Sequence, residues 1–147
     1  ARAVLQTVMK MRWVPDIIHC QGWMSAFVPL YIKTAYHDEP SFTNTKVITS
    51  LFDQNLSYRL GDNFKPCLVF RDVNSDLLKG YGDDFGFMEL GKMAIDYSDG
   101  VVQSMPEVNA ELLAYAKNRG IPMLDYPGSE DYNDAYLNYY KVFLGED

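Results

Sequence analysis

The chain has 147 residues, of which 48% are hydrophobic and 22% are charged, and its 20 acidic against 13 basic residues give a net charge of −7. This length and hydrophobic content predict one domain with a single core, spanning residues 1–147. Because the chain is acidic and its largest basic cluster is the short KMR run at residues 10–12, nucleic acid and anionic membrane surfaces are excluded as partners.

The two cysteines, Cys20 and Cys67, form neither a CxxC pair nor a Cys/His cluster at zinc spacing. We therefore expect no metal site, no disulfide framework and a reducing, cytoplasmic location. Apolar runs stay well below the roughly 18 residues of a membrane span, and no signal peptide is recognisable. The sequence begins at Ala1 inside a helical pattern, so we expect a fragment of a longer protein.

The first third of the chain predicts two helices and two strands. Apolar residues recur at helical spacing over residues 1 to 12, and the segment DIIHC at 16–20 follows as a short strand. A second helix starts at Trp23, and we expect Pro29 to bend it because proline removes one backbone donor. KVITSLF, residues 46–52, is apolar on both faces, which predicts a strand covered on both sides, as in a parallel sheet.

The middle of the chain is less regular. Residues 53–85 mix turn-forming residues with short apolar runs and predict no clear element. Apolar residues at helical spacing then predict a helix from Phe87 to about Ser98, and DGVVQS at 99–104 follows as a short buried strand.

The last part again alternates helix and strand. Ser104 and Glu107 match the S-x-x-E capping box, which predicts a helix beginning there and stopping near Gly120. IPMLDY at 121–126 predicts a strand. A final helix after Ser129 carries an aromatic face, which we expect to be a core or domain-contact surface rather than a glycan-stacking one. Its members are Tyr132, Tyr136, Tyr139, Tyr140 and Phe143.

This alternation predicts the α/β class, with a three-layer parallel sheet and helices on both faces. Such sheets bind ligands outside the carboxyl ends of their strands. The predicted strand ends place the segments 19–23, 52–54 and 104–106 at that edge.

Familiar cofactor and hydrolase motifs do not occur, since G-x-G-x-x-G, the phosphate-binding P-loop, G-x-S-x-G and H-E-x-x-H are all missing. The residues alone leave two interpretations of His19 open: a ligand contact at a strand end, or a buried histidine that hydrogen-bonds to backbone. Packing is the favoured role for Trp23 and for Cys20, which has no neighbouring cation in the sequence to lower its thiol pKa.

Three segments resemble bacterial glycogen synthases and plant starch synthases. PDIIHCQGW at 15–23 resembles the family's P-D-hydrophobic-hydrophobic-H-x-H-D-W segment, and KVITSLFDQN at 46–55 is similar to its K-V-V-F-T-V-H-N strand. KMAIDYSDGVVQSMPEVNAELL at 92–113 resembles a third segment, with matching residues at Tyr97, Asp99, Val101, Pro106 and Glu111. The order and spacing agree over residues 1 to about 120.

The resemblance implies a Rossmann-like half of a two-domain GT-B glycosyltransferase, specifically the C-terminal portion of the N-terminal catalytic domain. That enzyme moves glucose from a sugar nucleotide, ADP-glucose or UDP-glucose, onto an α-1,4-glucan, with the donor as substrate and no resident cofactor. It implies that His19, Gln21 and Trp23 lie near the sugar cleft, that Asp53 and Gln54 line its acceptor side, and that a flanking domain of the same protein is a partner.

The departures from the family pattern favour an alternative. Cys20, Gln21 and Gly22 separate His19 from Trp23 where the family often has x-H-D, and Met24 cannot donate a hydrogen bond. We therefore expect the chain alone not to catalyse transfer, and a non-catalytic domain that binds glucan or a regulatory partner is the alternative. A flavodoxin-like or receiver-type signalling domain fits the alternation but lacks an acidic cluster at the first strand end.

Overall fold

A four-stranded parallel sheet forms the centre of the computed structural model, which describes residues 1–52, 60–61, 63–82 and 85–145. Each strand pairs with its sequence neighbour, in the order β1-β2-β3-β4. Their bounds are β1 (Ile17–Cys20), β2 (Lys46–Leu51), β3 (Gly100–Gln103) and β4 (Met123–Leu124). The four predicted strands are therefore confirmed, and the α/β class with them.

Helices connect and cover these strands, and none of the described helices is long and apolar enough to cross a membrane. A 3₁₀ turn at Trp23–Ser25 precedes the second helix. The helices are α1 (Arg2–Lys10), α2 (Phe27–Lys33), α3 (Phe64–Leu68), α4 (Ser75–Lys79), α5 (Phe87–Asp96), α6 (Ala110–Asn118) and α7 (Tyr132–Leu144).

The sheet is covered on both faces, as the apolar strand β2 predicts. Since successive side chains of a strand point to opposite faces, Val47 packs with residues of α1, α2 and α5, whereas Ile48 packs with Tyr136 and Tyr139 of α7. On the first face, α6 joins the layer through Leu112, which packs with the β3 residue Val101. The helices α1, α2, α5 and α6 thus form one layer and α7 the other.

The predicted start of α6 is wrong. Ser104 and Glu107 do not form a capping box, because the helix begins at Ala110 and its N-cap is Asn109, whose side chain accepts from the amides of Glu111 and Leu112. The segment between β3 and Asn109 instead forms a turn that the Gln103 side chain stabilises. The Gln103 amide donates to the carbonyl oxygens of Met105 and Pro106 at 3.0 Å each. The predicted stop is confirmed, since Gly120 follows the helix with a φ of 66°.

The predicted start of the second helix is also wrong, and this changes the position of Pro29 in it. The chain takes the 3₁₀ turn first, so α2 begins at Phe27 and Pro29 lies in its first turn. Amides in the first turn have no intrahelical acceptor, so proline removes no hydrogen bond there. The reason for expecting a bend therefore does not apply, and Pro29 is buried at the start of the helix.

Candidate functional site

All four strands point the same way, so the ends of β1, β2 and β3 meet at one edge of the sheet. We call this the carboxyl edge, and it includes the segments that follow Cys20, Leu51 and Gln103. Gly22 has φ 75° and ψ 162°, a conformation that L residues rarely adopt, and it turns the chain from β1 into the 3₁₀ turn. The sequence-predicted segments 19–23 and 104–106 do lie at this edge.

His19 lies at this edge between the sheet and α7, and both of its ring nitrogens are in hydrogen bonds. Nε2 lies 2.7 Å from the Ser50 hydroxyl of β2, and Nδ1 lies 2.7 Å from the Tyr140 hydroxyl of α7. Its ring also stacks on Tyr136, with centroids 5.8 Å apart and planes 25° apart. The partners are hydroxyl groups, so the interpretation of His19 as a histidine bonded to backbone is wrong, and the ligand contact stays a prediction.

Burial lowers the pKa of His19 from its usual value of 6.5. A neutral imidazole donates from one nitrogen and accepts at the other, and a hydroxyl does both, so the neutral ring satisfies Ser50 and Tyr140 together. A sugar hydroxyl that binds His19 has to replace one of these two bonds. The role of His19 in sugar contact stays a prediction.

Gln21 and Trp23 lie on different sides of the turn after β1. The Gln21 side chain is exposed, while its carbonyl oxygen accepts from the Ser25 hydroxyl at 2.9 Å. Trp23 is half-buried and lines a small pocket with Thr49, Phe52 and residues of α5 and α6. Its volume of about 50 Å³ is small beside the groove described next.

A larger groove runs along the free side of β1. It has a volume of about 530 Å³ and is lined mainly by apolar residues of α1, β1 and the 3₁₀ turn, with His19 and Gln21 among the lining residues. Cys20 also lines it, and burial raises the pKa of this thiol to about 12, so it is not a thiolate at neutral pH. Packing, as expected from the sequence, is the role of Cys20.

Two of the sequence-predicted site residues, Asp53 and Gln54, lie outside the described residues, and their role also stays a prediction. Within the described ranges no group of three His, Cys, Asp or Glu side chains is placed to hold a metal ion.

The partners of His19 were missed from the sequence. In the parallel register His19 pairs with Ile48, so strand alternation puts Ser50 on the same face and one step further toward the carboxyl edge. The strand pattern alone could therefore have predicted Ser50 as a partner of His19. Tyr140 is 121 residues from His19 in the chain, and a helical aromatic stripe does not indicate which strand residue it meets.

Comparisons with known proteins agree with this architecture. A family model described as the starch synthase catalytic domain matches residues 1–123. A glycogen synthase from Clostridium perfringens is 33% identical over 101 residues, which are 69% of this chain and 21% of the relative. Glycogen synthases from Chlorobaculum parvum and Chlorobium phaeovibrioides are 31% and 30% identical, over 70% and 78% of this chain and 20% and 23% of the relatives. No solved structure matches the chain significantly.

A parallel sheet between helical layers defines a Rossmann-like domain. Because the family model covers well over half of the sequence, the chain belongs to the starch synthase catalytic domain family. Its fold fits one half of a GT-B glycosyltransferase. The chain spans about a fifth of the length of the curated relatives named above.

Proposed function

We propose that residues 1–147 form the C-terminal portion of the N-terminal catalytic domain of a glucosyltransferase. The enzyme transfers glucose from a sugar nucleotide, ADP-glucose or UDP-glucose, to an α-1,4-glucan, and the donor enters as a substrate rather than as a resident cofactor. The observation that carries the proposal is the family match over residues 1–123, which includes all three resembling segments. Since both cysteines are free, we propose a cytoplasmic location as well.

The carboxyl edge supports a role in acceptor binding. Gln21 is exposed there and carries both a donor and an acceptor, which suits the hydroxyls of a sugar. We propose that Gln21 contacts the glucan, with Trp23 and His19 supporting the turn and strand that carry it. Asp53 and Gln54 follow β2 in the sequence, and we propose that they line the acceptor side of the same cleft.

Replacing Gln21 with alanine in the full-length protein should lower the rate of glucosyl transfer about tenfold, because one hydrogen bond to the sugar is lost. The measurement follows labelled glucose from ADP-glucose or UDP-glucose into a maltooligosaccharide primer. Gln6→Ala is the matched control. Gln6 lies on α1, away from the carboxyl edge, and its side-chain amide donates to the Tyr36 hydroxyl.

The 147-residue chain itself should give no transfer. If the full-length protein transfers glucose from neither donor yet still binds maltooligosaccharides, the chain is a non-catalytic glucan-binding domain, and the enzymatic proposal fails. An unchanged rate in Gln21→Ala would remove Gln21 from the site while leaving the transferase in place.

We propose that the groove beside β1 receives another part of the same, longer polypeptide. β1 pairs only with β2 in the described sheet, and the groove's rim carries exposed apolar side chains, Trp13 at 57% and Met24 at 71% exposure. An apolar strand without lysine, bulge or covering helix is an unprotected edge, which natural proteins avoid. The relatives are about five times as long as the matched segment, so a protein of their length has further residues that could occupy the groove. The occupant we propose is a β-strand that adds to β1.

Hydrogen exchange tests this docking. Amides of β1 should exchange at least about a hundredfold more slowly in the full-length protein than in the 147-residue chain, because the added strand pairs its free side. Amides of β2, which already has a strand on each side, are the internal reference and should change much less. Equal exchange of β1 in both proteins would contradict the proposed docking.

A further inference from the structure

Three rings stack in a column that rises from the sheet to the surface at the carboxyl edge. His19 stacks on Tyr136, and Tyr136 stacks on Tyr132 with centroids 4.2 Å apart and planes 29° apart. We call His19, Tyr136 and Tyr132 the aromatic column. α7 brings its first turn to this edge, so Tyr136 in the middle of the column is buried and Tyr132 at its outer end reaches solvent.

The inner and outer ends of the column differ in exposure. Tyr136 is 6% exposed, whereas Tyr132 is 38% exposed and its ring is held in place by the stack beneath it. Hydroxyl groups gather beside the rings, since the Tyr136 hydroxyl lies 3.2 Å from that of Ser104 at the end of β3. A hydrogen bond to Tyr136 raises the pKa of Tyr132 to about 12, so the phenol of Tyr132 is neutral at physiological pH.

The charge around the column decides between the two substrates of a glucosyltransferase. Residues 125–134 contain Glu130, Asp131 and Asp134, together with Asp125, whose carboxylate lies 3.9 Å from the Lys117 ammonium, and the segment itself has no lysine or arginine. A sugar nucleotide carries a negatively charged diphosphate, which this segment repels, whereas an α-glucan is neutral. The column therefore suits the acceptor and not the donor.

The buried members of the α7 aromatic face, Tyr136 and Tyr139, agree with the core role expected from the sequence, whereas Tyr132 is exposed. In contrast to that expectation, we propose that the aromatic column is a platform for a neutral α-glucan, with the exposed face of Tyr132 packing against the apolar face of a glucosyl ring. The proposal rests on the proposed function for its ligand class. A tyrosine ring offers a large apolar surface with a polar edge, and a glucosyl ring presents C–H groups on its faces and hydroxyls at its rim. The stack on Tyr136 fixes the ring of Tyr132 beforehand, which reduces the entropy lost on binding. Gln21 lies at the same edge of the sheet.

Titration of the 147-residue chain with maltoheptaose, followed by NMR chemical shifts, tests the platform. Tyr132→Ala should raise the dissociation constant about three- to tenfold, the range expected for one lost aromatic contact. Tyr132→Phe keeps the ring and should stay within about twofold of the unaltered protein, since only the hydroxyl is removed. Leu137→Ala, at another exposed position of α7, is the matched control and should leave the constant unchanged.

Two outcomes would overturn the platform. One is a Tyr132→Ala variant that binds maltoheptaose as well as the unaltered chain while its circular dichroism confirms the fold. The other is an unaltered chain whose spectrum does not respond to maltoheptaose. Neither outcome decides the proposed function, because glucosyl transfer by the full-length protein is measured separately, with labelled donor.

Discussion

Replacing Gly100 with alanine should lower the free energy of unfolding by about 2–4 kcal/mol, because a Cβ does not fit where α7 crosses β3. A Cβ at this position would lie 2.5 Å from Cζ of Phe143 and 2.5 Å from the hydroxyl oxygen of Tyr139. Tyr139 has little freedom to move away, since its hydroxyl donates to the carbonyls of Val101 at 3.1 Å and Pro122 at 2.7 Å. Overpacking costs about 1–3 kcal/mol, and a lost hydrogen bond adds about 1 kcal/mol.

Chemical denaturation of the two proteins measures this difference. Gly80→Ala is the matched control, since the nearest atom to its Cβ is 4.0 Å away and its φ of −59° suits alanine. Phe143→Leu in the Gly100→Ala background should recover part of the loss, because a shorter side chain leaves room for the Cβ. If Gly100→Ala were as stable as Gly80→Ala, the close packing of α7 on β3 would be contradicted.

The packing of α7 on the sheet involves a helix that lies beyond the residues matched by the family model. The family model ends at residue 123, and α7 begins at Tyr132. Nevertheless α7 covers the second face of the sheet, with Tyr136 and Tyr139 buried against Ile48 and Val102. The helix is therefore part of the core of this chain, although it lies outside the matched segment.

The sequence predicts the strands well because their signal is local. β2 is apolar at successive positions, and a strand that is buried on both faces leaves this pattern wherever it occurs. The predicted start of α6 is wrong because Ser104 and Glu107 match a capping box by sequence alone, whereas the turn that Gln103 stabilises moves the start of the helix to Asn109. Local sequence patterns thus predict which helices and strands form more reliably than they predict the residue at which each one begins.

The candidate site is predictable only in part, for the same reason. The rule that ligands bind at strand carboxyl ends places His19 and Gln21 at the right edge from sequence alone. The side chains that surround His19 come from β2 and α7, which are distant in the chain. Whether an imidazole faces solvent or a neighbouring helix depends on that packing, which residue periodicity does not encode.

Replacing His19 with leucine should lower the free energy of unfolding at pH 7 by about 1–3 kcal/mol, because the hydroxyls of Ser50 and Tyr140 lose a partner in a partly buried position. It should also remove a pH dependence. Burial lowers the pKa of His19 in the folded state below 6.5, so below that pH the unfolded chain takes up the proton more readily. The stability that neutral His19 contributes is therefore complete above about pH 6.5 and decreases as the pH falls toward the folded-state pKa.

Denaturant unfolding curves at about five pH values between pH 7.5 and pH 5 measure both the loss of stability at pH 7 and the pH dependence. The stability of the unaltered chain should fall more steeply toward pH 5 than that of His19→Leu, since the carboxylates titrate alike in both. His37→Leu is the matched control: His37 is exposed, with its Nδ1 3.7 Å from a carboxylate oxygen of Asp72, so the steep fall should persist there. Parallel curves for the unaltered chain and His19→Leu would mean that His19 is not held neutral between Ser50 and Tyr140. In that case the imidazole is open to solvent, and a direct sugar contact becomes its better assignment.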